Sequence, residues 1–179
     1  MADPALAQRI AAVEMLVLDV DGVLSDGRIF YADDGREFKA FHVRDGAALR
    51  FWIEAGKQVA IISGRNSSIV TRRASELGIT RIVQGAGKKL PALRSLIAET
   101  GLRADQIGVV GDDLPDWPLL RHCGLAIAVA DACPELRASA HWVTHAKGGC
   151  GAVREVIECI MQEQRLWQPM LERLRAETL

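Results

Sequence analysis

Hydrophobic and polar positions follow two periods along this chain. Short continuous apolar runs recur at Met15-Leu16-Val17-Leu18, Val59-Ala60-Ile61-Ile62, Ile107-Gly108-Val109-Val110 and Leu125-Ala126-Ile127-Ala128-Val129. Runs of that length, bounded by polar residues or glycine, predict strands covered on both faces. Arg81-Ile82-Val83 and Trp142-Val143 add two shorter strands. Between these runs the apolar spacing turns helical. Residues 5–13 predict a short amphipathic lead-in helix. Asp45 is placed to cap a helix carrying Ala48, Leu49, Phe51, Trp52 and Ile53, stopped by Gly56. Asn66 or Ser67 opens a helix through Leu77, closed by Gly78, and Lys89 begins another that ends at Gly101. Residues 117–122 form a short helix, and Pro134 starts a helical turn. From Gly151, the spacing of Val153, Val156, Ile157, Ile160 and Met161 sets out a C-terminal helix. Residues 164–179 are charged and are expected to form a loose helical tail.

One segment breaks the alternation. Ile29-Phe30-Tyr31 and Glu37-Phe38-Lys39-Ala40-Phe41 flank Asp33-Asp34-Gly35, a hairpin signal. The remaining strands alternate with helices. That pattern predicts an α/β fold: a doubly wound, mostly parallel sheet, Rossmann-like, with helices on both faces and a hairpin flap. There is no internal repeat, low-complexity segment or long linker. The 179 residues predict one domain, with its core at about 15–162 and a tail at 163–179.

Composition narrows the function little but usefully. The chain is 49% hydrophobic and 25% charged, as in an ordinary soluble globule. A formal net charge of −1 gives no basic face of the kind nucleic acid calls for. A small anionic substrate stays open, because it needs only a local group of cations. No apolar stretch reaches ~18 residues, so no membrane span is expected. Residues 1–14 carry Asp3, Arg9 and Glu14 and do not read as a signal peptide. Cys123, Cys133, Cys150 and Cys159 show neither paired nor zinc-ligand spacing. They read as small hydrophobes in a reduced, cytoplasmic setting.

In open α/β sheets, ligands bind beyond the carboxyl ends of the strands. The first strand ends in Asp19-Val20-Asp21-Gly22, the second in Ser63-Gly64-Arg65, and the fourth in Gly111-Asp112-Asp113, while Lys88-Lys89 follow the third. Carboxylates, a hydroxyl and a cation on one edge suit phosphoryl transfer. Carboxylates from separate strands can hold Mg²⁺. Asp19 can attack phosphorus as a nucleophile. Asp21 can protonate the leaving oxygen and then activate water. Ser63 would bond a phosphoryl oxygen, Lys89 would balance its charge, and Asp112 would complete the metal site with Asp113 orienting it. Asp116 fits either a helix N-cap or a layer behind the metal.

Leu18-Asp19-Val20-Asp21-Gly22-Val23-Leu24 resembles the first motif of the haloacid-dehalogenase superfamily, and Ser63, Lys89 and Gly111-Asp112-Asp113 fall in its motif order. The resemblance implies magnesium bound by Asp19, the backbone carbonyl of Asp21, and Asp112. Further runs are similar to one branch, the phosphatases of 3-deoxy-D-manno-octulosonate 8-phosphate, which act in lipopolysaccharide synthesis. They include Ser25-Asp26-Gly27, Val43-Arg44-Asp45-Gly46, Asp112-Asp113-Leu114-Pro115-Asp116-Trp117-Pro118 and Gly148-Gly149-Cys150-Gly151. That likeness implies substrate contacts from Asp21, His42, Val43, Arg44, Asp45, Gly46, Arg50, Arg65, Arg73 and Lys89. It also implies a homotetramer acting on a small sugar-acid phosphate. Cys150 stands where the branch often carries arginine in its tail motif, and His42 where asparagine is common.

Forty-two positions separate Asp21 from Ser63, and twenty-six separate Ser63 from Lys89. The hairpin, two helices and one strand use them, which leaves no room for a cap domain. A neighbouring subunit is then expected to close the site. Two other readings compete. A phosphoaspartate receiver module would place its acidic pair early and its phosphorylated aspartate after a middle strand, the reverse of the order here. A nine-carbon, sialic-acid-like sugar phosphate rivals the eight-carbon acid as substrate, and Arg65, a cation near the expected carboxylate, leans toward the latter.

Overall fold

A computed structural model describes residues 3–176. The chain opens with α1 (Pro4–Ala12), β1 (Met15–Leu18) and the hairpin strands β2 (Phe30–Tyr31) and β3 (Glu37–Phe38). Next come α2 (Val43–Glu54), β4 (Gln58–Ile62), α3 (Ser68–Leu77), β5 (Arg81–Val83) and α4 (Lys89–Thr100). β6 (Ile107–Gly111), α5 (Trp117–Leu120), β7 (Leu125–Ala128), α6 (Pro134–Ser139) and β8 (Trp142–Val143) follow, then α7 (Ala152–Glu163) and α8 (Trp167–Ala176).

Six strands form one parallel sheet in the order β5-β4-β1-β6-β7-β8, and β2 pairs antiparallel with β3 outside it. The apolar runs explain the centre of the sheet. Every residue of β1, β6 and β7 is buried, as strands covered on both faces must be. From β1 the chain builds outward through β4 and β5. It then returns to the far side of β1 with β6. That reversal opens a crevice at the carboxyl end of β1, where open α/β sheets bind ligands. Helices complete the layers: α2 packs along α7, which also meets α1 and α8, while α4 packs on α5. No helix among the described residues is long and apolar enough to cross a membrane.

Three expectations are corrected. Asp45 does not cap its own helix, because α2 begins two residues earlier with His42 at the N-cap position. The Asp45 carboxylate, 2% exposed, turns to α7 instead. It accepts the Arg154 N–H at 2.7 Å and the Gly151 N–H at 3.2 Å. These are amides at the start of a helix that would otherwise lack acceptors. Asp45 therefore ties α2 to α7.

The tail is not loose through residue 176. Trp167 and Met170 are buried, and Leu171 and Leu174 pack on the core. This helical stripe recurs at three- and four-residue spacing and is masked in the sequence by the charges between its members. The Arg154 guanidinium lies over the Trp167 ring, 4.7 Å from its centroid, and Arg173 Nη2 reaches Glu54 Oε2 at 2.5 Å. The last three tail residues lie outside the described part. α5 starts where expected, after a 3₁₀ turn at Leu114–Asp116, and ends two residues early at Leu120.

Candidate active site

β1 delivers Asp19 while still in register. The Asp19 N–H donates to the Val110 carbonyl at 3.2 Å. The chain then folds back tightly, and the N–H groups of Val23, Leu24 and Ser25 all donate to the Val20 carbonyl. This turn needs Gly22, whose φ is +92°. A Cβ there would lie 2.0 Å from Asp112 Oδ2, so a side chain would push into the acidic cluster. Gly148 backs the same turn. A Cβ on it would lie 1.6 Å from the Gly22 carbonyl oxygen, and the adjacent Gly149 N–H donates to the Val23 carbonyl at 2.8 Å. Asp131 holds this backing strip by accepting the Gly148 N–H at 3.0 Å. The glycine motif near the C-terminus thus acts as a support for the β1 loop.

Lys89 opens α4 and buries its side chain against two acids. Its Nζ lies 2.9 Å from Asp19 Oδ2 and 2.7 Å from Asp116 Oδ1. Asp116 is 1% exposed, and its second oxygen accepts the Asp112 N–H at 3.1 Å. It makes no helix-capping bond. It brackets Lys89 and Asp112 together, the layer behind the cluster. Asp116 is placed to orient the cluster from behind, whereas Asp113 is exposed, accepts the Asp116 N–H on its carbonyl and turns its carboxylate to the Cys133 thiol. Lys88, the neighbour of Lys89, is exposed.

Oxygens of Asp19, Asp112 and Asp116 all lie within 4.8 Å of one another. Burial, then the charge of Asp116, push the Asp19 carboxyl up to about 6 against the pull of Lys89. Burial, with Asp116, Asp19 and Asp113 adding to it, pushes Asp112 up to about 8. Asp112 Oδ1 is buried with no hydrogen-bond partner. Clustered carboxylates with an unpaired buried oxygen suit a hard divalent cation. Asp116 has both oxygens engaged, so Asp19 and Asp112 are the side chains that fit. The Asp21 carboxylate points away to Lys39, which leaves its backbone carbonyl for the metal role the resemblance implies.

A pH dependence follows. Both carboxyls have raised values in the folded chain, so it binds more protons than the unfolded chain between about pH 4 and pH 8. Metal-free stability is then highest at low pH and falls as pH rises through that window. A divalent cation favours the ionised carboxylates and offsets the loss. The gain in melting temperature on adding Mg²⁺ is therefore expected to be larger at about pH 8 than at about pH 5.5, which melting curves with Mg²⁺ and with a chelator check.

Asp21 lies beside the cluster. Its Oδ1 contacts Lys39 Nζ and lies 3.4 Å from Ser25 Oγ, while its Oδ2 is 3.6 Å from Arg65 Nε. Ser63, 3% exposed, sits one step beyond β4 and accepts the Arg65 N–H on its Oγ at 3.3 Å. Arg65 also reaches the flap, with Nη2 2.7 Å from the Tyr31 hydroxyl. The structure therefore gathers Asp19, Asp21, Ser63, Arg65, Lys89 and Asp112 at one crevice.

The other expected substrate residues lie elsewhere. Val43, Gly46, Arg50 and Arg73 line a separate cavity of about 700 Å³ with Arg173 from α8. Gly46 makes room there, since a Cβ on it would lie 2.2 Å from Arg73 Nη2. His42 and Arg44 border a different hollow beside Cys150 and Arg154. Sequence reasoning missed Lys39. It was read as one residue of a strand, and its partner Asp21 lies 18 positions away.

Fold and site define a hydrolase of the haloacid dehalogenase kind, and residues 66–157 match the model of the haloacid dehalogenase-like hydrolases. The 3-deoxy-D-manno-octulosonate 8-phosphate phosphatase of Yersinia pestis is 48% identical over 157 residues, covering 88% of this chain and 84% of that protein. The solved enzyme of the same name from Moraxella catarrhalis, in complex with magnesium, phosphate and KDO, superposes with a TM-score of 0.92 at 41% identity, covering 94% of this chain and 97% of that one. The cobalt-bound deoxy-D-mannose-octulosonate 8-phosphate phosphatase of Haemophilus influenzae gives 0.86 at 38% identity, covering 89% and 93%. The chain belongs to this phosphatase family within the haloacid dehalogenase-like hydrolases.

Proposed function

We propose that the chain hydrolyses 3-deoxy-D-manno-octulosonate 8-phosphate in lipopolysaccharide synthesis through a phosphoryl group carried on Asp19, with Mg²⁺ as cofactor. The observation that carries this reading is the buried cluster of Asp19, Asp112 and Asp116 around Lys89. An Asp19 oxygen attacks phosphorus. The bond from phosphorus to the sugar oxygen breaks, its electron pair stays on that oxygen, and Asp21 supplies the proton. Water then gives a proton to Asp21 and attacks phosphorus, which breaks the bond to Asp19 and restores its carboxylate. Ser63 and Lys89 hold the phosphoryl oxygens. Bound Mg²⁺, held by Asp19, Asp112 and the Asp21 carbonyl, supplies charge neutralisation at the phosphoryl group. Arg65 is placed for the sugar acid's carboxylate.

One domain spanning the chain, working in the cytoplasm, completes this reading, and free thiols at all four cysteines support that compartment. The split of the substrate residues supports a homotetramer. Arg50 and Arg73 line a cavity without any of the catalytic carboxylates, so they would serve a neighbour's site. The flap offers apolar surface for that contact, with Phe30 51%, Tyr31 64% and Phe38 48% exposed. Mixing tests the shared site. Asp19→Asn and Arg50→Ala chains, each of low activity alone, are expected to regain activity when co-assembled. Hybrids as inactive as their parents, or a fully active monomer, would contradict it.

Phosphate release from a panel of sugar phosphates tests the substrate. Strong preference for the octulosonate 8-phosphate is expected. A preference for a nine-carbon sugar phosphate would reassign the substrate and keep the chemistry.

A further inference from the structure

The position of Asp21 decides whether the sugar oxygen can leave protonated. Its anchor comes from the flap. Lys39 lies just past β3, and its side chain has no solvent exposure. An ammonium removed from water is costly unless acids pair with it. Here the acids are Asp21, through Oδ1, and Glu37, whose Oε1 lies 3.3 Å away. Glu37 is fixed in turn, because its other oxygen accepts the Ser67 hydroxyl at 3.0 Å, at the start of α3. A chain of contacts thus runs from Ser67 through Glu37 and Lys39 to Asp21.

These contacts are unequal on the two Asp21 oxygens. Lys39 and Ser25 both approach Oδ1. Oδ2 has Arg65 Nε at 3.6 Å, beyond hydrogen-bonding distance. We propose that Lys39 is the positioning residue for the acid/base: by holding Oδ1 it turns Oδ2 toward the leaving sugar oxygen. Lys39 acts through Asp21 and transfers no proton itself. The inference rests on the phosphatase reading of Asp21 and adds to it a residue that the flap contributes.

The consequence depends on the leaving group. An alkyl oxygen, as in a sugar phosphate, leaves poorly without a proton. An aryl oxygen such as p-nitrophenolate leaves readily without one. The ratio kcat/KM covers formation of the phosphoryl-Asp19 intermediate, the step that needs a well-placed acid. Lys39→Met keeps the buried stem and removes the charge. With Mg²⁺ present, it is expected to lower kcat/KM for the octulosonate 8-phosphate roughly 100-fold. The same variant should lower kcat/KM for p-nitrophenyl phosphate less than about 3-fold, since that ester needs little proton transfer. Lys39→Arg restores the charge and most of the loss. Should the methionine variant not fold, Ser67→Ala carries the test, with an ester-selective loss of roughly 3- to 10-fold. Equal loss on both esters, or none on either, overturns the inference alone. Failure of the unaltered enzyme to release phosphate from either ester, or release that survives Asp19→Asn, overturns the phosphatase reading and this inference with it.

Discussion

Asp19→Asn abolishes phosphate release, a loss on the order of 10⁴-fold or more, while the fold persists. The amide keeps the size of the side chain and removes both the nucleophile and a ligand suited to the metal. The fold is expected to survive because Asp19 is strained as an anion. It lies near Asp116, and burial raises its carboxyl to about 6. Removing that charge relieves repulsion in the metal-free state. The variant's metal-free melting temperature is therefore expected to equal or exceed that of the parent at about pH 8. Loss of activity without loss of stability separates a chemical role from a structural one.

Lys89→Met has the second large effect, and it strikes both properties. The ammonium faces Asp19 at 2.9 Å and Asp116 at 2.7 Å. Burial works to lower its pKa, yet Asp116 and Asp19 together hold it above lysine's ordinary value. Without it, three clustered carboxylates have no buried counter-charge, and Asp116 is almost wholly inside the protein. Breaking such a pair costs about 3–5 kcal/mol of stability. The acids can recover part of this by binding protons, so the deficit is expected to shrink as pH falls toward about 5. Activity does not recover with it, because the phosphoryl oxygens lose their cation. Urea denaturation at two pH values, beside kcat, checks both halves. A variant with parental stability at every pH would contradict the pairing.

The sheet is legible in the sequence because its rules are local. Continuous apolar runs of four or five residues bounded by polar residues or glycine mark β1, β4, β6 and β7. Asp33-Asp34-Gly35 marks the hairpin. The catalytic residues stand at strand ends, and a parallel sheet places all such ends on one edge. What escaped the sequence is long-range. Asp45 follows the local rule for a cap, but its real partners lie 106 and 109 residues away on α7. Asp116 and Lys39 meet their partners only when the sheet and flap close. α8 hid its apolar stripe among charges. The expected substrate residues came from motif order, which aligns positions along one chain and says nothing of which subunit they serve. Their separation into a crevice and a second cavity is visible only in three dimensions.

The most direct measurement is acid quench during turnover of the octulosonate 8-phosphate with Mg²⁺, followed by mass analysis of the peptides. One phosphoryl group is expected on the peptide that carries Asp19, dependent on substrate and absent in Asp19→Asn. Steady phosphate release with that peptide unmodified throughout, or with the phosphoryl group on another residue, would contradict the central claim.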